Sequence, residues 1–234
     1  NRLKNVSVTP DALLAIAKND AYLTEIIEKA FARYYFKDEN NPKPLQGQHY
    51  LIGEILRSYV KQTLEVDKQF TPFAYIDSEF RFNRSYRVND ALSVNFKGSI
   101  DRIDKVGETY RVIDYKTGSG ATDFKTIEQL FDASKNNRPY QILQVFVYAL
   151  FYETENPGKQ LSPAIYYLRS IFKDFDPSVS CDKQRIDDIS VYMPEFIERF
   201  HALLEEIFDA SVPFSQTQNE KNCEWCAFKT VCGR

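Results

Sequence analysis

The 234-residue sequence predicts an α/β fold built on a mixed sheet, and three observations predict it. Residues 1–70 carry apolar side chains at helical spacing, and residues 71–118 switch to alternating segments dense in β-branched and aromatic residues. Residues 123–171 then return to a helix followed by one more strand. Helix, antiparallel three-strand meander, helix, strand is an α/β order with a mixed sheet, here with added helices at the N- and C-terminal ends.

Thr9, Pro10 and Asp11 supply the start signal for DALLAIAKN, and AYLTEIIEKAFARYYF keeps the helical spacing until KDENNPKPLQG breaks it. HYLIGEILRSYVKQTLEVDKQF resumes as one long helix. FAYIDSEFRF alternates as a strand, and ALSVNFKGSIDRID and TYRVIDYKTG follow it, joined by a turn at Val106-Gly107-Glu108. Residues 123–153 read as helical, with Pro139 in the first turn of YQILQVFVYALFYE, and SPAIYYLRSI reads as another strand. A polar connection leads to ISVYMPEFIERFHALLEEIFDA, an amphipathic helix interrupted near Met193-Pro194, and the last residues form a loop closed by cysteines. The expected organisation is one domain over 1–234: a helical part (1–70), an α/β core (71–172), and a C-terminal helix with a cysteine tail (173–234).

A hydrophobic content of 43% is enough for a full core. The formal charge of −3 and the acidic pI near 5.6 argue against wrapping nucleic acid by bulk electrostatics, so any such contact is a local patch. No apolar run approaches the roughly 20 residues that span a bilayer, and the N-terminus lacks a signal-peptide core, so a cytoplasmic chain without membrane contact is expected. The start without Met suggests a fragment of a longer polypeptide. No G-x-x-x-x-G-K-[ST] motif occurs, so the sequence carries no ATPase engine of its own.

If residues 105–109 turn a hairpin, cross-strand partners have numbers summing to roughly 215, which sets Asp114 at or next to Asp101. Period-two alternation adds Lys116 to the same face. Two close carboxylates repel unless a cation sits between them, and Mg²⁺ or Mn²⁺ accepts such hard oxygen ligands while keeping water and substrate phosphate. A lysine beside the ion can orient the attacking water, so the patch suits metal-assisted phosphodiester hydrolysis. A cross-strand salt bridge on a solvated face is the plainer alternative. Gly98, the closing Thr117-Gly118, and a third carboxylate at Glu79 on the preceding strand weigh against it.

GSIDRID followed by VIDYKTG resembles the paired core motifs of the RecB-like branch of the PD-(D/E)XK nuclease superfamily, with its restriction-endonuclease-like core. The branch's third motif, Gln-x-x-x-Tyr on the next helix, is matched by Gln144 and Tyr148, whose i,i+4 spacing puts both on one face. The resemblance implies that Asp101 and Asp114 bind Mg²⁺ or Mn²⁺, that the Tyr115 carbonyl completes the coordination, and that Lys116 is the catalytic lysine. Glu79 matches the acidic residue of the earlier strand, while Gln144 and Tyr148 border the DNA path. Arg102, with Arg81, Arg84, Arg87, Lys125, Lys135 and Arg138, forms a candidate phosphate track.

The sequence departs from that pattern twice. A Gly-x-x-x-His element is usual on the helix before the sheet, whereas counting from Gly53 reaches Arg57; His49 or Glu54 is the substitute, but not both, since residues five apart lie about 140° around the axis. Cys223, Cys226 and Cys232 resemble the [4Fe-4S]-binding tail of AddB-type helicase-nuclease subunits, with Cys181 as the only available fourth ligand. The alternative there is a remnant knuckle held by Trp225 and Phe228. The resemblance implies a Mg²⁺-dependent deoxyribonuclease, exonuclease before endonuclease. It would serve double-strand break repair beside a helicase domain or partner subunit. The rivals are a catalytically degenerate module that binds DNA or a partner, and a metal protein whose cysteine tail is the working part.

Overall fold

The computed structural model describes residues 5–135, 138–213 and 215–234. A two-residue strand β1 (Ser7–Val8) leads to α1 (Pro10–Lys18), capped where the Thr9 hydroxyl accepts from the Ala12 N–H at 3.3 Å. Asn19 closes α1 and caps α2 (Asp20–Ala30) by accepting from the Tyr22 N–H at 3.0 Å, so one polar residue turns the chain between two helices. A π-turn over Phe31–Tyr35 and a loop precede α3 (Gly47–Asp67).

Three long strands follow: β2 (Phe73–Arg87), β3 (Ser93–Val106) and β4 (Thr109–Lys116). Gly107, at φ +57°, makes the β3–β4 turn where a side chain would be strained. The stretch expected to be continuously helical is broken into a short strand β5 (Asp123–Phe124), a one-turn α4 (Ile127–Phe131) and α5 (Tyr140–Glu155), with Pro139 as the residue before α5 rather than within it. β6 (Gln160–Tyr167) then runs parallel to β4. The polar connection carries β7 (Ser180–Cys181) and β8 (Gln184–Arg185), which join β5 in a small second sheet, and α6 (Met193–Phe208) starts at the predicted interruption. The short strands escaped detection because two residues carry no period.

The main sheet has the order β1-β2-β3-β4-β6, antiparallel except for the β4–β6 pair. The α5 face is packed by Ile103, Val112, Ile142, Val145, Phe146, Ile165 and Phe196 of α6. The opposite face, toward α3 and α1, is packed by Leu13, Val66, Phe73, Ile113 and Tyr166. Both faces of β4 are therefore covered, as its unbroken Val112-Ile113 pair leads one to expect. No helix among the described residues is long and apolar enough to cross a membrane.

Candidate active site

The β3–β4 ladder runs from Val106–Thr109 to Arg102–Ile113, every pair summing to 215. One step further, at Asp101 and Asp114, the backbone pairing gives way to a side chain: the Asp101 carboxylate accepts the Tyr115 N–H at 2.8 Å. The strands part here, and Asp101 fills the opening. Alternation slips at the same point, since Ile100 and Ile103, three apart, both belong to the α5-side core. Across on β2, Glu79 lies between the paired Ser78 and Phe80 with φ +53°, a conformation that costs a non-glycine residue roughly 1–3 kcal/mol. Gly98 lets the strand pass the Phe82 ring, which a Cβ would meet at 2.5 Å.

On the α5 side, the Lys116 ammonium lies 2.7 Å from Asp114 Oδ2 and donates to Gln144 Oε1 at 2.8 Å. Gln144 Nε2 in turn donates to the Tyr148 hydroxyl at 2.6 Å, leaving the tyrosine's own proton free for another acceptor. Four side chains from β4 and α5 thus form one linked row. Asp114 is 2% exposed, and burial pushes its carboxyl above the usual carboxylate range; the Asp101 charge adds to this and Lys116 opposes it. Burial likewise raises the Tyr148 hydroxyl, so it stays protonated at neutral pH.

The sequence model of the PD-(D/E)XK nuclease superfamily matches residues 7–233, nearly the whole chain. The chain belongs to this superfamily. No curated protein matched the sequence. The five-stranded mixed sheet with helices on both faces is a restriction-endonuclease-like fold, and members of the superfamily are generally metal-dependent nucleases acting on DNA.

A divalent cation suits the residues present. Asp114 Oδ2 is buried and has no aligned hydrogen-bond donor, its contact with Lys116 being an ion pair. Among the described residues, no three His, Cys, Asp or Glu side chains gather around one point, so the protein offers carboxylates and no closed cage. A hard ion that keeps several waters, held by one or two carboxylates, fits such a donor set; a closed structural zinc site does not.

Arg102 corrects the expectation drawn for it as a phosphate contact. Its guanidinium is buried on the α3 side, bound to Asp67 at 2.7 Å, to Asp104 at 2.6 Å and to the Tyr115 hydroxyl at 3.0 Å, and it lies over the Phe73 ring. Burial opposes its charge, but Tyr115, Asp67 and Asp104 hold its pKa well above the usual value. Asp104 also grips Arg111 through bonds of 2.7 and 2.6 Å, and the Tyr166 hydroxyl donates to Asp67 at 2.6 Å. This network, which the motif reading missed, clamps Tyr115, the residue between Asp114 and Lys116, from behind. Asp104 and Arg111 are cross-strand partners, so the register sum applied to every charged residue would have found that pair.

The structure separates other expected residues from the superfamily's site. Glu79 is exposed and accepts from Ser99 at 3.1 Å, without joining Asp101 and Asp114 in a three-ligand group. His49 sits in a nest of Phe31, Tyr35 and Phe36 rings, its centroid 5.0 Å from Tyr35. It stands eighteen positions, about 27 Å of helix, before the Asp67 end of α3 that meets the site's back. His49 therefore stands apart from Asp101 and Asp114, and Glu54 pairs with Arg57. Arg84 and Arg87 are held by Glu155 and Asp90. Cys181 lies on β7 with its thiol directed to the Lys125 carbonyl, apart from Cys223, Cys226 and Cys232, and no four-cysteine cluster forms among the described residues.

Proposed function

We propose that the chain is a RecB-like deoxyribonuclease that hydrolyses DNA phosphodiesters with Mg²⁺, with Mn²⁺ as substitute, and water as nucleophile. The observation that carries it is the Lys116 ammonium held between Asp114 and Gln144. Asp101 and Asp114 would hold the ion, with the Tyr115 carbonyl as a third oxygen, and the ion would supply Lewis-acid charge for the phosphoryl group and a more acidic water. Lys116, fixed by its two partners, orients the attacking water and offsets charge building on phosphorus. Tyr148 presents its free proton to a phosphate oxygen, with Gln144 holding its oxygen in place. No covalent enzyme intermediate forms.

The nuclease unit spans 1–234 and works within a larger helicase-nuclease in double-strand break repair, cutting from DNA ends. With paired surface arginines and an acidic whole, the chain relies on that helicase domain or partner subunit for much of its DNA affinity. The test is Mg²⁺- and Mn²⁺-dependent degradation of end-labelled linear single- and double-stranded DNA by wild type and Lys116→Ala. Loss in the variant supports the assignment.

Two observations favour a second reading: Arg57 stands where the Gly-x-x-x-His element has its histidine, and among the described residues no third carboxylate joins the pair. A degenerate module binding DNA or a partner would bind DNA without cutting it. Mn²⁺ titration separates the two, because a working site binds the ion and loses it in Asp114→Ala.

A further inference from the structure

Beside Asp101, between the β1–α1 segment and the α3 side of the sheet, lies a cavity of about 380 Å³. Its walls are Val8, Leu13, Ile16, Leu64, Phe73 and Tyr75, and exposed Val6 and Ser78 mark its mouth. The size sits at the lower end of small-molecule sites, roughly 300–1,000 Å³, which suits one heterocycle and no duplex. Among the described residues, Arg102 is the one cation in the lining, and its terminal nitrogens are committed to Asp67, Asp104 and Tyr115, so it offers no free charge for a phosphate. It suits a flat neutral group.

Continuity with the active site fixes where that group comes from. Asp101 borders the cavity while its carboxylate faces the gap between β3 and β4, and Tyr115 of the catalytic strand lines the cavity too. The cavity lies on the α3 face and the Lys116–Gln144–Tyr148 row on the α5 face. Asp101, where β3 and β4 part, borders the first while its charge bears on Asp114 and Tyr148 of the second, so a nucleotide whose phosphate sits at Asp101 meets both. We propose that this cavity takes one unpaired nucleobase of the strand being cut, adjacent to the scissile phosphate. This rests on the nuclease assignment and adds a base subsite to it. Apolar walls and the half-buried Tyr75 ring accept any base by its π-face, so the subsite favours strands with an unstacked base over intact duplex and reads little sequence.

The test uses single-stranded oligonucleotides with one abasic position stepped along the strand, cut in Mg²⁺ by wild type, Ala12→Phe and Ile16→Trp. Both substitutions put bulk into the cavity from α1, and neither residue belongs to the catalytic row. Wild type should cut one phosphate about tenfold more slowly when its neighbouring base is missing, a loss within the range of base stacking on aromatic side chains. The filled variants should cut the intact strand at that slower rate with no further loss on the abasic one. Equal cutting of intact and abasic strands by wild type, or wild-type rates from filled variants with unchanged melting temperature, would overturn the subsite. If no form cuts any DNA, the nuclease assignment fails separately. The subsite is then judged on affinity in Ca²⁺, where a tenfold weaker abasic strand upholds it and equal affinity removes it.

Discussion

The Lys116 ammonium and the Gln144 amide oxygen meet at 2.8 Å across the gap between β4 and α5, and this contact gives the lysine a second anchor besides Asp114. Removing the anchor leaves Lys116 its charge and takes away its direction. Gln144→Leu should slow cleavage by about 10- to 100-fold with little change in KM, since misplacement by about 1 Å costs on this scale. Steady-state kinetics on a short oligonucleotide tests this, and a rise in KM alone would mark Gln144 as a simple DNA contact.

Lys116→Ala should lower kcat by about 10²- to 10⁴-fold, the range of a positioned proton-transfer group. Since Asp114 then loses its counter-charge, the metal-free variant should also melt below wild type, a difference that saturating Mg²⁺ narrows. Calorimetry with and without Mg²⁺ reads both.

Asp114 carries a pH signature. Burial raises its folded-state pKa above the unfolded value, so its ionised form costs stability, and that cost disappears as pH falls through the raised pKa. Asp114→Asn should therefore melt at or above wild type at neutral pH without metal, while abolishing cleavage. Mg²⁺ at about 100 times Kd should stabilise wild type by about 2.7 kcal/mol and leave the variant unchanged. The acid limb of the rate profile at low Mg²⁺ should lie above the ordinary carboxylate range. A limb near pH 4 would show that burial is relieved in the working enzyme.

Arg102→Leu takes the cation from buried Asp67, leaving it the Tyr166 hydroxyl, and leaves Asp104 to Arg111 alone, and should cost about 3–5 kcal/mol of stability by urea unfolding. The dependence of DNA affinity on salt should keep its slope. A slope reduced by about one would return Arg102 to the phosphate track.

Replacing all four cysteines by serine should leave iron content, zinc content and melting temperature as in wild type prepared without oxygen. Metal retained by wild type and lost in the quadruple variant would count against the separation of Cys181 from the tail.

What was legible in the sequence came from short-range rules. A two-residue turn fixes a hairpin register that holds as far as Arg102–Ile113, one step short of Asp101 and Asp114, and alternation sets Lys116 beside Asp114. The i,i+4 spacing of Gln144 and Tyr148 needs only helix geometry. Alternation failed at Ile100–Asp101, where the strands part and no local residue pattern announces it. Arg102 was misassigned because neighbours in a strand face opposite sides, and its partner Asp67 comes from a helix 35 residues earlier. His49 and Cys181 share that difficulty: sequence gives their order along the chain, while their distance from the site depends on how α3 and β7 pack.

The Asp67–Tyr166 bond joins positions 99 residues apart, and Tyr166 stands on the strand that pairs with the back of the Asp-Tyr-Lys segment. A chain emerging from the ribosome displays Asp101, Asp114 and Lys116 long before β6 arrives to hold them. On the proposed assignment, the site is completed late in synthesis, when β6 closes the five-stranded sheet, and a chain ending before residue 160 carries the motif letters without the strand that holds them.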